Sequence, residues 1–420
     1  TGVQTCALPI SSMLQSQATD FFQSTFAYKP SVVAFAPGII NLLGCQVNGG
    51  DGRVCSLATH LGTMVVGSMA AGNKCRVIME NSEDVEEFEG DSSISPRDQK
   101  SWLNCIMGVV NEFLIQFDKK SIGFDLAIVT NLPASVDLGR LASIEVAVSL
   151  FLEQILLVPL SPEDRAKLCQ AAEENFTQVQ QGIMDKFVIC CAQKDTIMYC
   201  HSREKPGEYI PFNASVIVCN PGVKPKSIPS WSNVLAVLQT VYPNIHSLND
   251  VDTCQVNLIK DSLGDDLYKM AIHCISECQR AAEGKQALLR GDYESVGGSL
   301  MYSFVSFRDM LKASCDEIDG LSELIAEEES VYGIRMNEEG EVLILVERSQ
   351  EKRVARWLEQ EYKKRFGKVC KMIACYPSDG AKIISTEKTE VGTYSKWKNP
   401  WLWACAATVV GVGVMMFMRS

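Results

Sequence analysis

The stretch VVAFAPGIINLLGCQVNGGDG, residues 32–52, decides the fold class of this chain. Its first part, Val32–Phe35, is a β-branched and aromatic run of the kind that forms a buried strand, and Pro37 and Gly38 supply a turn signal. A glycine-rich loop follows. No Asp, Glu, Lys, Arg or His occurs in residues 32–50, so the stretch before Asp51 offers only neutral groups to a ligand.

The bulk composition of the 420 residues limits the possible functions. Hydrophobic residues make up 46% and charged residues 21%, which is typical of a globular protein with enough apolar side chains for two cores. The net charge of −12 argues against general nucleic-acid binding, which requires a basic face. The 17 cysteines are scattered and only four histidines occur, so we expect free thiols in a reducing compartment and no metal site.

Strand-like and helix-like patterns alternate along the chain. The expected strands of the first part are Val32–Phe35, Arg53–Leu57, Thr63–Ser68, and the segments at 195–202 and 214–222. Helices of the second part are expected at about 232–242, 265–283, 284–315 and 319–328, followed by a hairpin at 331–349, a helix at 350–366 and a strand at 370–375. The acidic segment 79–99 is expected to be a solvated loop. Interleaved strands and helices predict a two-lobed α+β body.

The C-terminal segment WLWACAATVVGVGVMMFM, residues 401–418, contains no charged residue. As a helix it would be about 27 Å long, close to the hydrocarbon thickness of a bilayer. A buried core helix is the alternative, but the position after the last globular-looking element and the lack of any polar face favour a single transmembrane helix, which Lys396, Lys398 and Arg419 flank. The prediction is a tail anchor in the mitochondrial outer membrane or the endoplasmic reticulum, with the body on the cytosolic face and the lipid bilayer as its partner.

Six motifs occur in an order and spacing that together resemble one family. They are APGIINLLG (36–44), LASIEVAVSLFLEQ (141–154), CQAAEENF with QGIMDKF (169–176 and 181–187), LLRGDYESVGGSLM with SFRDMLKASCDEIDGL (288–301 and 306–321), VYGIRM (331–336) and SDGAKII (378–384). Over nearly all of residues 15–384 the chain resembles the galactokinases of the GHMP small-molecule kinase superfamily. The resemblance implies a two-lobed α+β GHMP kinase fold, with a ribosomal-protein-S5-like N-terminal lobe at 13–205, a C-terminal α+β lobe at 206–384, a linker at 385–400 and the tail helix at 401–418. Residues 1–12, which begin like a translated sequencing adapter, are expected to be non-native or disordered.

The first family motif has lost its charged residues. The family places an Arg, a Glu, a His and an Asp at positions that here hold Ile39, Cys45, Gln46 and Asn48. Asn41 keeps the family residue. By the resemblance, Asn41, Gln46 and Asn48 are the candidates to bind a sugar, through neutral hydrogen bonds that are weaker than charge-assisted ones.

The second family motif is a glycine- and serine-rich loop whose backbone N–H groups hold nucleotide phosphates. This chain has PASVDLGRLAS at 133–143, with Asp137 placing a carboxylate in the loop. The nucleotide-binding candidates implied by the resemblance are Trp102, Gly139, Arg140 and Ser143. The expected outcome is a loop that only caps the helix at Ala142, because each lost donor to developing charge costs roughly 2.7–4 kcal/mol.

The third motif, a glycine hairpin in the family, is MNEEGEV at 336–342 and is expected to be a solvated acidic turn containing Glu341. Asp185, next to the substrate candidate Gly182, occupies the place of the catalytic Asp. Its family partner, the Arg, is Ile39 here. A structural role for Asp185 is therefore the favoured interpretation, since one carboxylate does not make a catalytic site.

These losses favour a galactokinase-like pseudoenzyme on a cytosol-facing membrane, acting as a scaffold or regulator through protein partners that the sequence does not identify. The alternatives are a sugar or nucleotide sensor that keeps the pocket between the lobes, and a diverged galactokinase that converts ATP and galactose to galactose 1-phosphate. No cofactor is firmly implied. ATP and Mg²⁺ would be required if activity is retained.

Overall fold

The computed structural model describes residues 10–47, 51–97, 102–177, 182–201, 206–223, 232–246, 250–337 and 340–386. The chain divides into two units, Thr1–Thr386 and Glu387–Ser420, and all described residues belong to the first. The expected linker and the expected membrane helix at 401–418 lie outside the described residues. Within the described ranges, no helix is both long and apolar enough to cross a membrane.

The larger sheet of the described residues is built around a long antiparallel hairpin. Its strands are β1 (Val32–Val47), β2 (Asp51–Met69), β3 (Lys74–Met79), β4 (Glu86–Glu89), β5 (Phe124–Thr130), β6 (Thr196–Cys200), β7 (Glu208–Pro211) and β12 (Lys382–Thr386). The order is β12-β1-β2-β5-β3-β4, with β6 paired to β2 and β7 to β6. Only the β3–β5 pair is parallel among these described pairs.

Two helical layers cover this sheet. The helices are α1 (Ile10–Phe26), α2 (Trp102–Gln116), α3 (Arg140–Leu156), α4 (Pro162–Ala172) and α5 (Ile183–Cys191), with a π-helical turn at Glu173–Thr177. The apolar faces of α2, α3, α4 and α5 form the main core with one face of the sheet. Helix α1 covers the other face, where Leu14, Ala18 and Phe22 are buried.

The smaller sheet has the order β11-β8-β10-β9 and is antiparallel. Its strands are β8 (Ala214–Asn220), β9 (Val331–Met336), β10 (Val342–Glu347) and β11 (Lys371–Cys375). The helices of this part are α6 (Ser232–Val241), α7 (Thr253–Leu258), α8 (Lys260–Leu263), α9 (Asp265–Leu289), α10 (Tyr293–Val305), α11 (Asp316–Ile325) and α12 (Glu351–Phe366), with a π-helical turn at Ser306–Met310. One core joins the sheets, since Leu42 and Leu43 share it with Val216 and Leu343.

The two-lobed α+β expectation is confirmed, and so is the hairpin now formed by β9 and β10. Several local predictions were wrong. The acidic segment contains β4, which pairs with β3, and α9 continues through Gly284 to Leu289 instead of ending at 283. Helix α1 begins at Ile10, within the segment 1–12 that was expected to be non-native or disordered. The larger sheet also takes two strands from beyond residue 205: β7 pairs with β6, and β12 pairs with the first residues of β1.

Candidate functional site

A cavity of about 440 Å³ lies where β1, the N-termini of α3 and α5, and the β9–β10 hairpin meet. From the first motif it is lined by Ile39, Asn41 and Cys45, and from α5 by Gly182 and Asp185. Its size and its mixture of polar and apolar walls suit a small-molecule ligand. The structure therefore brings together several residues that the sequence separated by about 140 positions.

Asp185 lies in the first turn of α5 and is partly exposed to the cavity. The Asn41 amide donates to its carboxylate at 3.3 Å, and the Ser56 hydroxyl donates to the Asn41 carbonyl. Ser56 is the register partner of Asn41 on β2, so the sheet itself orients the amide toward Asp185. A neutral amide thus contacts this carboxylate from β1.

Ile39 takes the place where the family has its Arg, and its side chain is buried. Its N–H donates to the Leu138 carbonyl at 2.9 Å, which fastens the 133–139 loop to β1. Gly139 follows with φ +68°, and a Cβ on it would lie 2.5 Å from the Ile39 Cγ2. The close approach of Ile39 and Gly139 leaves an apolar contact between the strand and the loop.

The 133–139 loop receives carboxylates from within the chain. The Asp137 N–H donates to the Glu341 carboxylate, and the Gly139 N–H donates to the Asp137 carboxylate at 3.1 Å. Glu341 is only 5% exposed, so the expectation of a solvated acidic turn was wrong for this residue. The cause is the pairing of β9 with β10, which directs Glu341 toward the loop. Helix α3 begins at Arg140 with Gly139 as its N-cap, two residues earlier than the expected Ala142.

The remaining candidates are not all brought to the cavity. Arg140 lines it and also lies 3.7 Å from the Met79 sulfur. Ser143 is buried, and its hydroxyl donates to the Ala36 carbonyl at 2.9 Å. Trp102 packs half-buried against the main core and does not line the cavity. The side chain of Gln46 and the whole of Asn48 lie outside what the structure describes.

A buried charged cluster lies immediately behind Asp185. Lys186 is fully buried, and its ammonium contacts the Glu173 carboxylate and lies 3.7 Å from Glu145. Burial, opposed by the Lys186 charge, raises the pKa of Glu145 to about 7 and also raises the pKa of Glu173. Although burial opposes it, the two carboxylates raise the pKa of Lys186. The ammonium is therefore occupied inside the protein and does not face a ligand.

A second buried cluster lies on the opposite wall. The Arg335 guanidinium donates to the carbonyls of Leu42 and Gly44 at 3.1 and 3.2 Å, and lies 3.6 Å from Glu277. Glu277 also pairs with Arg280 at 2.6 Å. Although burial opposes it, the charges of Arg335, His273 and Arg280 lower the pKa of Glu277 to about 2. Arg335 thus fastens the C-terminal half of β1 to the smaller sheet.

Sequence reasoning missed several residues of the cavity wall. They are His273, Phe307, Arg335, Asn337 and Leu343. Arg335 belongs to the VYGIRM motif, but its spacing carries no sign of the contact with β1. His273 lies on the buried face of α9, and burial lowers its pKa to about 4, so it is neutral at pH 7.

The loop residues do not fit a nucleotide polyphosphate as they stand. The Asp137 N–H already donates to the Glu341 carboxylate, and the Gly139 N–H already donates to the Asp137 carboxylate. A phosphate in this loop would need both N–H donors and no anion beside them. Ser143 is also bonded to the backbone of β1. Among the described residues, no group of three His, Cys, Asp or Glu side chains is placed to hold a metal ion.

Comparisons with known proteins agree with this architecture. Residues 104–193 match the model of the GHMP kinases N terminal domain, and residues 20–69 match the galactokinase galactose-binding signature. A galactokinase of Roseiflexus sp. (strain RS-1) is 29% identical, covering 86% of this chain and 94% of that protein. A galactokinase of Canis lupus familiaris is 28% identical, covering 90% and 98% respectively.

The fold match is equally extensive. The crystal structure of Lactococcus lactis galactokinase complexed with galactose superposes with a TM-score of 0.78 at 22% identity. It covers 88% of this chain and 99% of that one. With the two family models and the curated relatives, this confirms the resemblance inferred from the motifs: the chain has the GHMP kinase fold and is similar to galactokinases over most of its length.

Proposed function

We propose that this protein binds a galactose-type sugar in the 440 Å³ cavity, and that its phosphoryl transfer is weak or absent. The observation that carries the proposal is the Asn41–Asp185 pair, which faces the cavity. In the 133–139 loop, by contrast, the Asp137 N–H already donates to the Glu341 carboxylate. A carboxylate and an amide that share one wall are the groups that bind vicinal hydroxyls through paired hydrogen bonds.

Support for a sugar ligand comes from two further directions. The match to the galactose-binding signature covers β1 and β2, and the structurally similar Lactococcus lactis protein is described in complex with galactose. The charged residues of the family motif are absent here, since Ile39 and Cys45 are apolar or neutral wall residues. We therefore expect binding that is weaker than in a galactokinase, because neutral hydrogen bonds are about half as strong as charge-assisted ones.

A calorimetric titration with galactose and N-acetylgalactosamine tests sugar binding directly. The variant Asp185→Ala should bind about 10- to 100-fold more weakly, since a hydrogen bond to a charged group contributes about 1.5–3 kcal/mol. The matched control is Asp84→Ala, an exposed carboxylate outside the cavity, which should bind like the parent protein. Failure of the parent protein to bind either sugar at millimolar concentration would overturn the proposal.

A diverged galactokinase is the second candidate, favoured by the galactokinase relatives and by Asp185 in the cavity wall. A coupled assay of ADP release from ATP–Mg²⁺ and galactose separates the two. We expect turnover at least about 10⁴-fold below that of a galactokinase assayed in parallel, because each lost donor to developing charge costs about 10²–10³ in rate. Turnover within tenfold of the reference enzyme would establish the kinase instead.

The pseudoenzyme scaffold on a cytosol-facing membrane remains a separate proposal, supported by the charge-free run at 401–418. Fusing residues 385–420 to a fluorescent protein tests it. Signal on the mitochondrial or endoplasmic-reticulum membrane is the expected result, and diffuse fluorescence throughout the cytosol would rule out the anchor.

A further inference from the structure

We propose that the Glu341 carboxylate is an internal anion that closes the 133–139 loop against phosphate-bearing ligands. The contact is a hydrogen bond from the Asp137 N–H to Glu341, between residues 204 positions apart in the chain. A backbone N–H in such a loop is a donor suited to a phosphate oxygen, and the carboxylate is the protein's own oxyanion in that position.

Glu341 is held in place from its other side by Asn337. The Asn337 amide donates to the Glu341 carboxylate at 2.8 Å, and the Glu341 N–H donates to the Asn337 side-chain carbonyl at 2.8 Å. The Asn337 N–H further donates to the Glu341 carbonyl at 2.9 Å. These three bonds fix the carboxylate in the turn that joins β9 and β10, so its position facing the loop is built into the smaller sheet.

The loop is also fastened to the smaller sheet at a second point. The Asn220 amide, at the end of β8, donates to the Ser135 carbonyl, and the Gly222 N–H donates to the Asn220 side chain at 2.8 Å. Together with Glu341, this contact joins the loop to two neighbouring strands of one sheet. Releasing Glu341 would leave the loop attached on this side by the Asn220 hydrogen bond and by the packing of Val136 and Leu138 in the shared core.

The Glu341 contact separates two spaces. The 440 Å³ cavity and a second cavity of about 580 Å³ share Asp137, Arg140 and Glu341 as wall residues. The second cavity is otherwise lined by the 133–136 part of the loop and by residues at the end of β8. A phosphate group that passed from the second cavity to the first would have to displace this wall, and both Asp137 and Glu341 would repel it.

The proposal refines the proposed function and rests on it in one respect, namely that the first cavity is the sugar site. A ligand without negative charge can enter that cavity with the contact intact, whereas a diphosphate must replace the Glu341 carboxylate at the Asp137 N–H. Glu341 thereby discriminates between neutral ligands, which can enter the cavity, and phosphorylated ligands, which it excludes.

Titration of inorganic pyrophosphate into the whole protein tests the contact, with Glu341→Gln and Glu341→Ala as variants. Both variants are expected to bind pyrophosphate at least tenfold more tightly than the parent. Glu347→Gln, which removes an exposed charge from the end of the same strand β10, is the matched control and should match the parent. Equal affinity in all four proteins would overturn the proposal, and so would an equal gain in the control, since that would be a general effect of net charge.

Hydrogen exchange measured by mass spectrometry supplies a readout that needs no ligand. In Glu341→Ala the peptide covering residues 133–142 should exchange at least tenfold faster, while peptides from β5 remain unchanged. Parent-like exchange at 133–142 would contradict the proposal. A galactose titration of the same proteins keeps the two proposals apart. Absence of sugar binding by the parent protein would contradict the proposed function, whereas the pyrophosphate affinities test only the role of Glu341.

Discussion

Two buried ion clusters flank the cavity, and they have opposite excess charge. Behind Asp185, the single ammonium of Lys186 serves two carboxylates, Glu145 and Glu173. On the other wall, the single carboxylate of Glu277 lies near two guanidinium groups, those of Arg335 and Arg280. Burial raises the pKa of a carboxyl group with too few cations and cannot do so where cations are in excess. The pKa of Glu145 is accordingly raised to about 7, whereas that of Glu277 is lowered to about 2.

The comparison shows that burial alone does not set the role of a charged side chain. The central carboxylates of both clusters are buried, yet only the first cluster is sensitive to pH near neutrality. The folded pKa of Glu145 exceeds its usual value of 4.5, so the native state binds more protons between about pH 4.5 and 7. Stability from this group is therefore highest at low pH and falls as pH rises through that window. Glu277 behaves oppositely, since its stabilising contribution is present above pH 4.5 and is lost only as pH falls toward 2.

The largest expected effect is from Lys186→Met, which leaves Glu145 and Glu173 buried without their cation. Removing one partner of a buried ion pair costs about 3–5 kcal/mol. The penalty should be smaller at pH 5.5 than at pH 8, because the uncompensated carboxyl groups take up protons in the folded state. Urea unfolding at the two pH values measures this difference.

Lys194→Met is the control for that experiment, since Lys194 is an exposed lysine in the connection between α5 and β6. It should change the free energy of unfolding by less than about 0.5 kcal/mol at either pH. A Lys186→Met penalty that is equal at both pH values would contradict the assignment of excess negative charge to this cluster.

A smaller loss, about 2–4 kcal/mol, is expected from Arg335→Met, because Arg280 remains 2.6 Å from Glu277. The variant also leaves the carbonyls of Leu42 and Gly44 without their shared donor. Since Glu277 stays paired, the penalty should be the same at pH 5.5 and pH 8, in contrast to Lys186→Met. Arg356→Met, an exposed guanidinium on α12, is the matched control. Recovery of Arg335→Met at pH 5.5 would show that Arg280 does not keep Glu277 ionised.

Much of the framework was predictable because its signals are local. The apolar run of β1, the helical period of α3 and the two strands of the β9–β10 hairpin each lie within a continuous stretch of sequence. The family motifs also singled out Asn41, Asp185 and Gly139, three residues that line one cavity. The motifs gave no sign of which hydrogen-bond or ion-pair partners the altered residues would find.

The charged residues show why the rest could not be predicted. Glu341 lies in a run of acidic residues that is typical of a solvated turn, and its burial depends on a contact with Asp137 that no local pattern encodes. Lys186 likewise pairs with Glu145 and Glu173 on two other segments, although an isolated helical lysine is usually exposed. The sequence indicated that the family's charges were lost but not that Lys186 and Glu341 would find partners inside the protein.

The helix boundary expected between residues 283 and 284 was also wrong, and Gly284 supplies the smallest of the expected effects. Helix α9 continues through Gly284, where a Cβ would lie 2.3 Å from the Leu43 side chain. Gly284 therefore allows α9, the helix that carries Glu277, to approach β1 beside the Leu42 carbonyl held by Arg335.

Gly284→Ala should cost about 1–3 kcal/mol, since overpacking outweighs the gain in helix propensity. Gly298→Ala in α10, where the new Cβ meets nothing within 4 Å, should instead be neutral or stabilising by up to about 1 kcal/mol. Thermal or urea unfolding of the two variants decides the matter: if both are stabilised, the close approach of α9 to β1 does not limit the packing of this wall.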